Sequence, residues 1–117
     1  LVELGELRAA LGRHEEALTT YRQALALAPE SAAAHAGLGR SFLALERWAE
    51  AEQAYRALLS RSRRQVEAHL ALARIRRHQG DLRAALAQLR RARAVRPADT
   101  RVVSELIRLE RLLLENR

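Results

Sequence analysis

The chain repeats itself every 34 residues, and that period restricts its fold more than any other property of the sequence. Ala17, Ala51 and Ala85 stand 34 apart, as do Leu4, Leu38 and Leu72, then Gly5, Gly39 and Ala73, then Tyr21, Tyr55 and Leu89. Pro29 and Pro97 lie two periods apart. A chain of this kind stacks copies of one supersecondary unit, and each copy buries its apolar face only against its neighbours.

Inside one period the spacing is helical. Leu4, Leu7 and Leu11, then Leu18, Tyr21 and Leu25, recur at steps of three and four, which places each set on one face of an amphipathic helix. Alanine, leucine and arginine dominate the chain, all strong helix formers, while aromatics make up 3% and prolines number two. The pattern predicts helices near 1–11, 14–28, 32–45, 48–60, 65–79, 82–95 and 100–115, that is, three helical hairpins and one extra helix. Gly12 and Gly80 fall in the turns of hairpins, where a permissive backbone is wanted, and Asp81 and Asp99 are expected N-caps. Gly5, Gly39 and Ala73 are expected to let helix backbones approach closely.

The stretch Glu16-Ala17-Leu18-Thr19-Thr20-Tyr21-Arg22-Gln23-Ala24-Leu25-Ala26-Leu27-Ala28-Pro29, with the Leu-Gly pair at positions 4 and 5, resembles the tetratricopeptide repeat family, and the resemblance extends along the whole chain. Four positions depart from the family's habit: His35 and His69 stand where tryptophan is common, Leu58 where a small residue is, and Arg63 where proline is. The resemblance implies an all-α, right-handed helical-hairpin solenoid of three units plus a C-terminal helix. It implies one domain over 1–117, with repeats at 1–31, 32–65 and 66–99 and an extra helix at 100–115. In the family's register the chain opens inside a first helix and without an initiator methionine, so a piece of a longer protein is expected.

Several chemistries are excluded by what the sequence lacks. Without cysteine there is neither a disulfide framework nor a thiolate metal site. His14-Glu15-Glu16-Ala17-Leu18 begins like a zinc-protease helix, but the second histidine one turn on is replaced by Leu18. His35 and His69 share one repeat position and read as packing residues, so no metal site is expected. The serines have no base and orienting acid in a recurring pattern, so neither catalysis nor a cofactor is expected. No apolar run reaches the roughly 20 residues of a membrane span. All 21 basic residues are arginine, which leans toward a bacterial source and its cytoplasm.

In the family, first helices line a concave groove. Carried over position by position, the resemblance assigns to it Arg40 and Leu43, then Leu70, Arg74, Arg77 and His78, then Arg101, Arg108 and Arg111, with Gly37 also among the groove-facing positions. Net charge at such positions runs −2, +1, +1, +2 along the four first helices, and Arg40, Arg74 and Arg108 recur at one repeat position. The implied function is a protein–protein interaction scaffold whose partner is a protein or peptide, acidic by the chemistry of those arginines. The clamp with which some family members hold acidic chaperone tails is absent, since the matching positions hold Val2, Glu6, Gly37, Glu67 and Ala71.

Two other readings stay open. The arginine-rich stretches 61–64 and 74–96 could bind nucleic acid, a reading weakened by the few aromatic faces left over for bases. Alternatively, the chain is a structural segment of a longer array that self-associates. Leu106, Leu109 and Leu113, spaced as a helical seam on the last helix, are the expected partner interface for that case.

Overall fold

A computed structural model describes residues 1–61 and 65–115. Its seven helices are α1 (Val2–Ala10), α2 (His14–Leu27), α3 (Ala32–Ala44), α4 (Trp48–Arg61), α5 (Val66–His78), α6 (Leu82–Val95) and α7 (Thr100–Glu115). Among the described residues there is no strand. The fold class is all-α, and the helices begin and end within a residue or two of their expected positions. Arg63 and positions 62–64 of the arginine-rich stretch lie outside the described residues.

The chain forms two compact units, residues 1–61 and 62–117. In the first, α1 packs on α2 and α3, and α3 packs on both α2 and α4. In the second, α6 packs against α5 on one side and α7 on the other. Each hairpin turns by the same device. The residue after the helix cap adopts a left-handed backbone, at Gly12 (φ 78°), Glu46 (φ 56°) and Gly80 (φ 80°). Its N–H and the next one then bond back to the last turn: Gly12 to Ala9 and Arg13 to Arg8, Glu46 to Leu43 and Arg47 to Phe42, Gly80 to Arg77 and Asp81 to Arg76, all at 2.9–3.0 Å. This closes carbonyls that a helix end leaves without partners. Asp81 caps α6 by accepting from the Ala84 N–H at 3.0 Å, Asp99 caps α7 by accepting from the Arg101 N–H at 2.9 Å, and Ser31 caps α3 through the Ala34 N–H at 3.2 Å.

Core packing alternates large and small side chains across helices. A Cβ added at Gly5 would lie 2.6 Å from the Tyr21 ring, at Gly37 2.4 Å from that same ring, and at Gly39 2.6 Å from the Tyr55 ring. These glycines therefore seat an aromatic ring rather than bring two backbones together, which corrects the expectation for positions 5 and 39. In the second unit Leu89 replaces the tyrosine and Ala73 the glycine, and both are buried in one cluster with Val66, Ala85, Ala92, Val102, Leu106 and Leu109. A smaller partner leaves room for one methyl.

Candidate functional site

The outward-facing residues of first helices form a candidate surface in each unit by itself. In the first, Arg40 is exposed on α3, with its charge close enough to the Tyr21 phenol to act on it. Gly5 and Gly37 both seat the Tyr21 ring. Burial raises the Tyr21 phenol above its usual 10.0, against the opposing pull of Arg40 and with a further push from Glu6. Leu43 is a correction: it is buried, and a side chain enclosed in packing cannot line an open surface. Gly37 is likewise a seat for Tyr21 and not a lining residue.

In the second unit, Arg74, Arg77 and His78 lie on α5 and Arg101, Arg108 and Arg111 on α7. Glu105 braces two of them, accepting from Arg77 at 2.9 Å and from Arg108 at 3.5 Å. Arg101 is engaged with Asp99 at 2.9 Å. That hydrogen bond is the chief reason the Asp99 carboxyl falls from 3.8 to about 2, with the backbone N–H groups at the start of α7 pulling the same way and desolvation opposing. Arg74 and Arg111 are exposed and carry no ion pair among the described residues. Leu70 is half-buried and packs with part of its side chain against the apolar cluster of its own unit. The surface therefore consists of guanidiniums, some braced by acids and some not, with His78 exposed beside them. Such a set offers charge-assisted hydrogen bonds to carboxylates and no reactive centre.

The seam expected to meet a partner points inward. Leu106 and Leu109 are buried among the α5 and α6 residues of the cluster, and Leu113 packs against it from outside. Val102, Leu106, Leu109 and Leu113 form one stripe, and α7 rolls that stripe onto α6, where it removes the most apolar surface from water. What α7 leaves outside is Val103, Ile107 and Leu114. His35 and His69 are each satisfied locally: His35 Nε2 donates to the Pro29 carbonyl at 3.1 Å, and His69 Nδ1 donates to Gln88 Oε1 at 3.0 Å. No helix among the described residues is long and apolar enough to cross a membrane.

Two features escaped the sequence. The seating of Tyr21 against both Gly5 and Gly37 joins residues of three helices, and its only advance signal is that a large buried ring needs small neighbours. Glu105 as a brace between Arg77 and Arg108 was visible as an acid among bases, but not as the acceptor of both.

Comparison with known proteins bears on the fold and the family. A stretch of 44 residues is 48% identical to Protein O-mannosyl-transferase Tmtc3 of Drosophila melanogaster, covering 38% of this chain and only 5% of that protein. The first TPR domain of human RPAP3 superposes with a TM-score of 0.89 at 18% identity, covering 97% of this chain and 90% of that one. The first TPR of Spaghetti (RPAP3), bound to HSP90 peptide SRMEEVD, gives 0.89 at 19% identity over 96% of this chain and 89% of that one. The type III secretion translocator chaperone SycD of Yersinia enterocolitica gives 0.88 at 19% identity, covering 99% and 83%. At such identities these structures share the fold. The tetratricopeptide repeat family itself matches residues 2–65 and again 37–100, most of the length, so the chain belongs to that family.

Proposed function

We propose that this chain is a protein-interaction module whose first-helix arginines, Arg40 in the first unit and Arg74 and Arg108 in the second, bind acidic peptide segments of a partner protein. The observation that carries the reading is the recurrence of exposed Arg40, Arg74 and Arg108 at one repeat position, with exposed Arg111 beside them in the second unit. Support also comes from a structure of the same fold that holds an HSP90 peptide ending in acidic residues. The lysine, asparagine and arginine clamp for such tails is not matched here, so the partner is an acidic segment other than a chaperone tail. Each guanidinium–carboxylate bond contributes ~1.5–3 kcal/mol where the peptide shields it and well under ~1 kcal/mol where it stays in water.

The test is an array of acidic and neutral peptides probed with the wild-type chain and with Arg40→Ala, Arg74→Ala and Arg108→Ala. Preference for acidic peptides, weakened roughly tenfold by at least two of the three substitutions, is expected. Binding that ignores all three removes the basis of the reading.

A further inference from the structure

A cleft of about 750 Å³ opens on the second unit between α6 and the end of α7, lined by Gly80, Asp81, Leu82, Arg83, Leu86, Arg90 and Leu113. It shares no residue with the first-helix surface described above. Its floor is the apolar trio Leu82, Leu86 and Leu113, and its rim is basic. Arg83 and Arg90 are exposed and carry no ion pair among the described residues. The one acid, Asp81, is already occupied in capping α6.

The chain contains its own template for what fills such a corner. Two periods of 34 residues earlier, Leu18, Arg22 and Leu45 stand at the positions of Leu86, Arg90 and Leu113. There Phe42 is buried, with the Arg22 guanidinium 5.7 Å from the ring centroid and the Arg47 guanidinium 5.1 Å from it. Arg47 also reaches Glu15 at 3.7 Å. In the second unit the ring is missing, because Glu110 holds the position of Phe42 and is exposed. The turn is missing as well. Leu114 holds the position at which Gly12, Glu46 and Gly80 go left-handed, and α7 runs straight through it to Glu115, the counterpart of Arg47. The charges at the corner are exchanged too, since Arg83 stands where the first unit has Glu15.

We infer that this cleft is a binding site for an aromatic side chain carried on an acidic segment of a partner protein, the ring stacking under Arg90 over Leu82, Leu86 and Leu113 and a carboxylate pairing with Arg83. Each part of that occupant is set by a residue of the cleft. A ring is what the matching arginine, Arg22, covers in the first unit, and guanidiniums favour aromatic faces. An acid answers Arg83, as Arg47 answers Glu15. A second copy of this chain offers no exposed ring, since its Tyr21, Phe42 and Tyr55 are buried and its one other aromatic, Trp48, is half-buried at the start of α4. Charge favours the acidic occupant further: residues 62–117 hold fourteen arginines against six acids, a net +8.

The experiment is an NMR titration of the 117-residue chain with the end-blocked peptide Glu-Asp-Phe-Asp-Glu and with its leucine counterpart, read at the methyls of Leu82, Leu86 and Leu113. Saturable shifts there are expected, with the phenylalanine peptide tighter by roughly three- to tenfold. Arg90→Gln should erase that preference and Arg83→Gln should weaken both peptides alike. Both arginines are exposed, so the variants keep the fold, which helicity checks. Arg74→Gln and Arg108→Gln should leave these shifts unchanged, so failure of this site and failure of the first-helix reading give different results. Equal affinity for the two peptides, a preference that survives Arg90→Gln, or shifts gathered around Arg74 and Arg108 instead of the cleft would each overturn the inference. So would loss of peptide binding in a longer chain whose residues after Glu115 fill the cleft.

Discussion

At the scale of single residues, the repeat is a rule about volume. Tyr21 needs Gly5 and Gly37, Tyr55 needs Gly39, and Leu89 tolerates Ala73. The co-recurrence of these positions was plain in the sequence, but its cause was not, because a glycine reads equally well as a site of backbone approach or as the seat of a ring. Gly39→Ala should cost ~1–3 kcal/mol of overpacking in the wild-type background and markedly less beside Tyr55→Leu, which copies the Leu89 and Ala73 pair. Chemical denaturation of the four proteins measures that coupling, and strictly additive costs would show that ring and glycine are independent. Glu46 was signalled only by the period, which places it at the repeat position of Gly12 and Gly80, and not by its own residue type. It holds the left-handed turn that glycine holds at 12 and 80, at φ 56°, a conformation that costs a residue with a Cβ. Glu46→Gly should therefore stabilise the chain by about 1 kcal/mol, seen as a raised Tm. Asp99 was legible as a cap, though its charge state was not. Its carboxyl is held near 2 against an ordinary 3.8, so its contribution is complete above the ordinary value and fades as pH falls through the lower one. Between pH 4 and 2, Asp99→Asn should flatten the acid dependence of unfolding, and Arg101→Gln should return the Asp99 titration seen by NMR toward 3.8.

At the scale of helices, identical residues meet different fates. Glu3, Leu4, Leu7 and Leu11 on α1 match Glu105, Leu106, Leu109 and Leu113 on α7, at the same repeat positions. Leu7 is 56% exposed and Leu109 2%. The difference lies in what covers them. α6 lies over α7, just as α2 lies over α3, whereas no helix among the described residues covers this face of α1. Amphipathic periodicity tells where a stripe is but not which neighbour takes it, so the sequence found the α7 seam and assigned it to a partner in place of α6. Leu109→Glu would strand a carboxylate in the core cluster at a cost of ~4 kcal/mol or more, enough to unfold a marginally stable domain. Leu7→Glu should change stability by less than about 0.5 kcal/mol. Melting curves of the two variants decide the matter, and equal destabilisation would mean that the α1 face is covered in solution. The helix count and nearly every boundary needed no such neighbour. Propensity, caps and turn glycines are local, and the sequence states them directly.

At the scale of the whole molecule, charge is divided very unevenly. The +7 of the chain is the sum of a nearly neutral first unit, with seven arginines against eight glutamates, and the +8 of the second. A field of that size draws acidic partners toward the second unit, and it would draw a nucleic acid as well, so attraction alone does not separate the two. Counterions do. A duplex carries a condensed ion atmosphere that binding must displace, and a protein touching six phosphates loses roughly a thousandfold in affinity between 50 and 200 mM salt. A short acidic peptide held by three or four arginines carries no such atmosphere, and its bonds lose only what Debye screening removes as the screening length shortens from about 14 to 7 Å. Titrations of an acidic peptide and of a 20-base-pair duplex across that salt range should therefore give a shallow slope for the peptide and a steep one for the duplex. Peptide binding should persist at 150 mM salt, where duplex binding has fallen to the level of any basic surface. The opposite ranking, a duplex held tightly at 150 mM while the peptide is lost, would reassign the arginine surface to nucleic acid and leave the protein-binding reading without its observation.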